Sequence, residues 1–540
     1  MLEPLAFILA AVAVIVMLQF LANRTGLPTA ALLTVAGLVY AMLPGPNLKL
    51  DPHAILTFVI PPLIYSAALN SSLLAIRKNL GAVISLSIGL VLATVMLVGI
   101  GVDLFVPGIG LAAAIALGAA VSPTDPVAAL AVGGRAGLPP TLITIIEGEG
   151  LLNDATALTA LTVAVTAATS GGFSFADAVV RFLLASAGGL LVGFAAAIAV
   201  RVLRSAVRDP LLVNCISLAT PFGAYLLGER LHVSGVLAVA VAGLIVGHDT
   251  PRFTSGASRL QASAVWRLAD FLLQGFVFLL IGQQIMAVLR ALKAYPAATV
   301  VTAAIVSLGV VLLLRPLWLV LAQALRGALH MRPGKATARN DQRLTGREVV
   351  VLSWAGTRGV ISLAAIFTLP LVTSSGRPFP ARDLLIFCTY VVVVVTLAGQ
   401  GITFAPLARA LGVRADPADA ALVRSEARAA SVRAARSRLD QIAADGDVPD
   451  PVLAALRTRL DHQALRYHQL LGRPKAADDT GPPTSPGYEA ALEARRAVID
   501  VQREELLRWR DAGHLPDSSL RILERELDHE ERTLPPHDDH

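Results

Sequence analysis

The run Ile146-Glu147-Gly148-Glu149-Gly150-Leu151-Leu152-Asn153-Asp154-Ala155-Thr156 sets three carboxylates within a segment that is otherwise apolar. An ionisable side chain in such a run costs about 3 kcal/mol to insert into a bilayer, so each one needs a reason. At 3.6 residues per turn Glu147, Gly150 and Asp154 share one helical face, and Glu149 points about 200° away from Glu147. Asp154 and Glu149 therefore need different partners. A buried carboxylate without a partner is driven toward its neutral form; it holds a proton or surrenders it to a hard cation, which prefers oxygen ligands. The chemistry that follows is competition between a proton and a cation for one site.

Two further segments carry charge at the same depth. Ser122-Pro123-Thr124-Asp125-Pro126 has two prolines three apart, each removing a backbone donor, so a helix here unwinds at Asp125. Trp354-Ala355-Gly356-Thr357-Arg358-Gly359 sets an arginine between glycines. Broken backbone at membrane depth is tolerated only where protein or a water-filled cavity satisfies the freed groups. Arg358 has no loop to escape into and needs a carboxylate, and Glu149 is the partner expected for it. Arg315, just before Pro316, is expected to cap carbonyls that the proline frees. Asp270 and Glu348 fall near predicted helix ends on the cytoplasmic side and are expected to be solvated.

The elements that must position these groups follow from composition. The chain has 540 residues, 55% hydrophobic and 16% charged, with a mean hydropathy of +0.66, which excludes soluble and disordered classes. Charge is uneven: residues 1–410 carry 26 Lys and Arg and 15 Asp and Glu, whereas 411–540 carry 19 and 24. The organisation expected is a transmembrane domain over 1–410 and a soluble helical tail over 411–540. A bilayer core takes about 20 apolar residues as helix. That ruler finds thirteen spans, near 4–22, 29–44, 53–72, 80–102, 110–133, 140–168, 177–200, 210–228, 233–248, 264–288, 297–325, 348–370 and 383–408. The fold class is all-α and polytopic, with broken helices in spans five and twelve. Those two are seven apart, which suits two inverted six-helix repeats joined by one extra helix. With the N-terminus outside, inner loops collect fifteen Lys and Arg and outer loops seven, so the tail is expected in the cytoplasm. The first span has Glu3, no preceding basic residue and no small-residue cleavage site, and is expected to be retained. Cys215 and Cys388 lie in apolar segments, where packing is the expected role.

At these residues the sequence resembles the sodium/proton exchangers of the monovalent cation:proton antiporter family 1. The resemblance covers roughly 1–410 and runs in order through Pro61-Pro62-Leu63-Ile64-Tyr65, Thr124-Asp125-Pro126, Glu149-Gly150-Leu151-Leu152-Asn153-Asp154, Ser234-Gly235-Val236-Leu237-Ala238, Phe278-Leu279-Leu280-Ile281-Gly282 and Trp354-Ala355-Gly356-Thr357-Arg358-Gly359-Val360-Ile361-Ser362. It implies a thirteen-helix homodimer in the plasma membrane, broken helices that cross in a core part, and elevator-like alternation of access. It implies further that Asp154 is the carboxylate for cation and proton, and that Thr124 and Asp125 lie at the crossing. Asn153 would stand where electrogenic relatives carry a second aspartate, and Glu149 would pair with Arg358. Asp154 and Asp125 would hold a monovalent cation transiently. Two departures bear on ion choice: Gly150 stands where relatives often have serine, and Ser66 where they often have an acidic residue.

The activity expected is electroneutral exchange of Na⁺, with K⁺ or Li⁺ as alternatives, for H⁺, serving pH and cation homeostasis. It is transport rather than enzyme catalysis, with no cofactor and no nucleic-acid partner. The competing classes are a passive cation channel and a membrane-embedded enzyme. A filter-like oxygen ring is not visible for the first, nor a nucleophile with its base for the second. The tail is expected as helices near 420–443, 449–472, 486–511 and 517–533, with a thin apolar stripe of Leu492, Val498, Leu506 and Leu507. Its histidines, His462, His468, His514, His529, His537 and His540, are too scattered to hold a metal.

Overall fold

The computed structural model describes residues 2–25, 29–43, 54–127, 129–130, 133, 137–170, 175–207, 209–254, 256–330, 344–415, 417–445, 449–471, 486–512 and 517–531. Among them the chain is helical throughout, apart from loops and one isolated bridge between Val372 and Pro378. It divides into two compact units, Met1–Ala415 and Asp416–His540.

The first unit begins with α1 (Leu2–Thr25), α2 (Thr29–Ala41), α3 (Ile55–Asn70), the short α4 (Leu73–Lys78), α5 (Leu80–Phe105) and α6 (Leu111–Val121). It continues with α7 (Pro140–Ser170), α8 (Phe175–Ala206), α9 (Pro210–Arg230), α10 (Gly235–Phe253), α11 (Gly256–Ala291) and α12 (Ala297–His330). The last three are α13 (Gly346–Trp354), α14 (Val360–Phe367) and α15 (Arg382–Ala410). Eight of these are long and apolar enough to cross a membrane, and four more are shorter apolar helices. Their outer faces expose large aliphatic and aromatic side chains, such as Leu184, Leu191 and Phe194 on α8 and Leu313 and Leu317 on α12. Water would penalise such faces, whereas lipid does not.

Small residues let the helices approach where polar groups must meet. α2 and α11 cross at Gly37 and Gly282, each facing the other helix's backbone so closely that a Cβ on either would overlap it. Gly282 closes the Phe278-to-Gly282 motif, so that motif encodes a helix crossing. α15 ends in a turn through Gly412, whose φ of +63° suits glycine; the Val413 N–H donates to the Ala408 carbonyl there.

Span five is a helix only to Val121, and the segment Ser122–Pro126 that follows belongs to no regular element. Span twelve breaks between Trp354 and Val360 into α13 and α14. Glu348, expected to be solvated, closes an exposed capping box with Thr345 at the start of α13, its Oε2 accepting the Thr345 N–H at 2.7 Å. Cys388 is buried, as packing requires, but Cys215 lies on an exposed face of α9.

The second unit holds α16 (Pro417–Asp445), α17 (Asp450–Leu471), α18 (Pro486–Asp511) and α19 (Asp517–Glu531). α16 packs on α17 and α18 on α19. On α18 the buried residue is Ile499; Val498, expected in the stripe, is exposed. Ile499 shares its face with Arg503, one turn on, which reaches across to Asp528 and Glu531 of α19. These carboxylates raise the Arg503 pKa. The side chains of Leu492 and of the six tail histidines lie outside the described residues.

Candidate functional site

The two broken segments cross and bond to each other through their backbones. The Asp125 N–H donates to the Thr357 carbonyl at 2.7 Å, and the Thr357 hydroxyl donates to the Asp125 carbonyl at 2.8 Å. Each unwound strand therefore satisfies groups the other has freed. Asp125 also caps the turn that follows: its Oδ1 accepts the Val127 N–H at 2.9 Å, and the Leu130 N–H donates to the Pro126 carbonyl at 2.8 Å. The other carboxylate oxygen faces Gly359, where a Cβ would overlap it.

Arg358 is 1% exposed. Its Nε donates to the Val121 carbonyl at 2.7 Å and a terminal nitrogen to the Gly356 carbonyl at 2.6 Å. Val121 ends α6, and Gly356 lies just past the end of α13, so the guanidinium sits at two helix C-termini, where the backbone dipoles favour a cation. Its own N–H is held by the Thr396 hydroxyl on α15 at 3.0 Å.

The expected Glu149 to Arg358 pair is corrected by this geometry. Glu149 is bound instead by Arg315 of α12, whose NH1 meets Oε1 and whose NH2 meets Oε2 at 2.8 Å. Arg315 Nε donates to the Leu352 carbonyl of α13 at 2.9 Å, so it does not serve carbonyls freed by Pro316. Gly356 makes room for it, since a Cβ there would lie 2.6 Å from the Arg315 Cδ. The Thr124 hydroxyl donates to Glu149 Oε1 at 2.8 Å, and the Asn153 amide donates to the Thr124 hydroxyl at 2.7 Å and to its carbonyl at 3.0 Å. The chain Arg315, Glu149, Thr124, Asn153 thus fixes the unwound segment against α7.

In front of this network lies a cavity of about 220 Å³. Of the residues expected to bind an ion, Thr124, Asp125 and Asp154 line it. Asn153 does not; like Glu149 and Arg358 it stands behind the wall. Asp154 is 6% exposed and, among the described residues, has no hydrogen bond or ion pair, while Asp125 is within electrostatic range. Glu147, on one helical face with Asp154, also lines the cavity. Among the described residues no basic side chain lines it.

Asp270 departs from its expected solvated position: it lies in the middle of α11, lines the cavity and accepts from the Ser66 hydroxyl through Oδ2. The span boundary near 264 placed it at a helix end, but α11 begins at Gly256, two turns earlier. A buried Arg315 in the apolar run was the other signal available, and it pointed equally well to any nearby carboxylate. Gly150 is explained locally, because a Cβ there would sit 2.6 Å from the Pro126 ring. A serine here would need Pro126 or α7 to shift. Among the described residues no group of His, Cys, Asp and Glu has the arrangement of a metal centre.

Comparison with known proteins bears on the family and the fold. The family described as "Sodium/hydrogen exchanger, transmembrane" matches residues 8–410. A protein of Mycobacterium tuberculosis named an uncharacterized Na(+)/H(+) exchanger is 33% identical over 541 residues, covering 98% of this chain and 96% of that protein. The sodium, potassium, lithium and rubidium/H(+) antiporter of Bacillus subtilis is 32% identical over 385 residues, 69% of this chain and 56% of its own length. The sodium proton antiporter MjNhaP1 from Methanocaldococcus jannaschii has a similar fold, with a TM-score of 0.60 at 18% identity over 75% of this chain and 98% of its own.

Proposed function

From the premise that this chain belongs to the sodium/hydrogen exchanger family, we propose that it exchanges a monovalent cation for H⁺ across the plasma membrane, with Asp154 as the carboxylate that both ions share. The observation that carries the reading is Asp154 itself: a carboxylate deep in α7 that has, among the described residues, neither a partner nor a basic side chain on the cavity it lines. A proton or a cation neutralises it in turn, and the site is never left empty at membrane depth.

The remaining roles follow from the contacts. Asp125 and Thr124 hold the crossing and bring oxygens to the cavity wall. Glu149 is neutralised by Arg315 and does not carry a transported proton. Asn153 orders Thr124, which leaves Asp154 as the one carboxylate of its pair of positions. One carboxylate offered alternately to one proton and one monovalent cation moves no net charge, so exchange is 1:1 and electroneutral. Na⁺ is the cation proposed, with K⁺ and Li⁺ as further substrates. The protein works as a homodimer with its N-terminus outside and the unit from Asp416 in the cytoplasm, and it serves pH and cation homeostasis.

The test is exchange in proteoliposomes holding the full chain, with Na⁺, K⁺ or Li⁺ gradients and the potential clamped by an ionophore for an ion the protein does not carry. Uphill proton movement driven by a cation gradient is the expected result. An end point that shifts with voltage excludes 1:1 exchange, and a flux that only dissipates gradients points to a channel.

A further inference from the structure

The cavity holds a carboxylate that the scheme above leaves unused. Asp270 on α11 receives the Ser66 hydroxyl on Oδ2, while its Oδ1 is buried with no hydrogen-bond partner among the described residues. A buried carboxylate oxygen left unpaired weakens the fold unless something else binds it. The helix spacing shows what surrounds it. Gln274 is four residues after Asp270 on α11, and Asn70 four residues after Ser66 on α3, so each helix turns two oxygen-bearing side chains to one face, and all four line the cavity. The Asn70 amide N–H is spent on the Ser66 carbonyl at 2.9 Å, which leaves its side-chain oxygen free to accept a cation.

We propose that Asp270, with Ser66, Asn70 and Gln274, forms a second monovalent-cation site in this cavity, one that loads the ion before it reaches Asp154. The proposal rests on the exchange reading and names a residue that sets cation affinity within it. Carboxylate, hydroxyl and amide oxygens are the ligands a hard cation takes. Asp154 supplies the independent sign of a ligand in the same cavity, being more than nine-tenths buried and, among the described residues, unpartnered. The carboxylate at this place comes from α11, on the partner of Ser66, rather than from position 66 itself.

The experiment uses the full chain in proteoliposomes, titrating Na⁺, K⁺ and Li⁺ against proton movement for the wild type, Asp270→Asn and Gln274→Leu. Asp270→Asn keeps the size of the side chain and a partner for Ser66, but loses the charge. The expected result is a KM for the cation raised about tenfold with Vmax within about twofold, and a smaller rise for Gln274→Leu. Melting of the purified protein without cation stays unchanged, and the rise in melting temperature on adding Na⁺ shrinks. A KM within twofold of wild type for all three cations overturns the site. So does a fall in Vmax and melting temperature with KM unmoved, which marks a structural role. If Asp270→Asn does not fold, Gln274→Leu decides alone by the same criterion. A wild type that moves no protons against a cation gradient refutes the exchange reading instead; binding of ²²Na⁺ to wild type and Asp270→Asn then still tests the site.

Discussion

Arg315 on α12 grips Glu149 on α7 with two nitrogens on two oxygens, although 166 residues separate them in the chain and both side chains are only 3% exposed. This pair leaves Arg358 to the helix ends and Asp154 without an ion pair among the described residues. Removing one partner of such a buried pair strands the other charge, at a cost of about 3–5 kcal/mol. Glu149→Gln and Arg315→Met are each expected to lower the melting temperature of the purified protein sharply, and the double variant to recover part of the loss. Melting unchanged in either single variant refutes the pairing.

Asp154→Asn is expected to abolish cation-driven proton movement while the protein inserts and melts as the wild type does. The amide neither takes up nor releases a proton in the working range, and with no partner to lose among the described residues the fold has little to give up. Exchange at the wild-type rate by this variant would falsify the role of Asp154.

Asp125 separates charge from geometry. Asparagine caps a helix about as well as aspartate, whereas alanine forfeits about 1 kcal/mol. Asp125→Asn is therefore expected to melt near the wild type and Asp125→Ala below it, with exchange reduced at least about tenfold in both. Full exchange in a stable Asp125→Asn protein confines Asp125 to holding the crossing.

Gly150→Ser adds the hydroxyl that relatives often carry. The Cβ it brings lies 2.6 Å from the Pro126 ring, so overpacking at a cost of about 1–3 kcal/mol is expected, with no gain in cation affinity. Thermal melting and a Na⁺ titration of exchange check the two halves; tighter Na⁺ dependence with unchanged melting contradicts this packing account.

Ending the chain at Ala415 is expected to leave exchange measurable, because every residue assigned to the cavity and its supports lies within the first unit. Flux assays on the truncated protein, normalised to the amount inserted, test this. Complete loss in a well-inserted truncation makes the second unit part of the transport machinery.

Much of this protein is legible in its sequence because bilayer thickness and helix periodicity act locally. Apolar runs give the spans, Pro123 and Pro126 break α6, Gly356 and Gly359 bracket the second break, and the Glu147 to Asp154 spacing puts two carboxylates on one face of α7. The tail helices follow from the same local rules, as their observed bounds near 417–445 and 486–511 indicate.

The tertiary structure alone decided which charges meet. Arg315 and Arg358 are equally buried arginines in apolar runs, and nothing local tells which of them Glu149 faces; that depends on how α12 and α13 turn against α7. Asp270 is the same case, since a shift of two turns in the start of α11 carries it from a helix end to the cavity wall beside Ser66. Gly150 and Gly359 likewise acquire their reason only when Pro126 and Asp125 arrive against them. Pairing across helices depends on their rotation and depth, to which the order of residues along any one helix is indifferent.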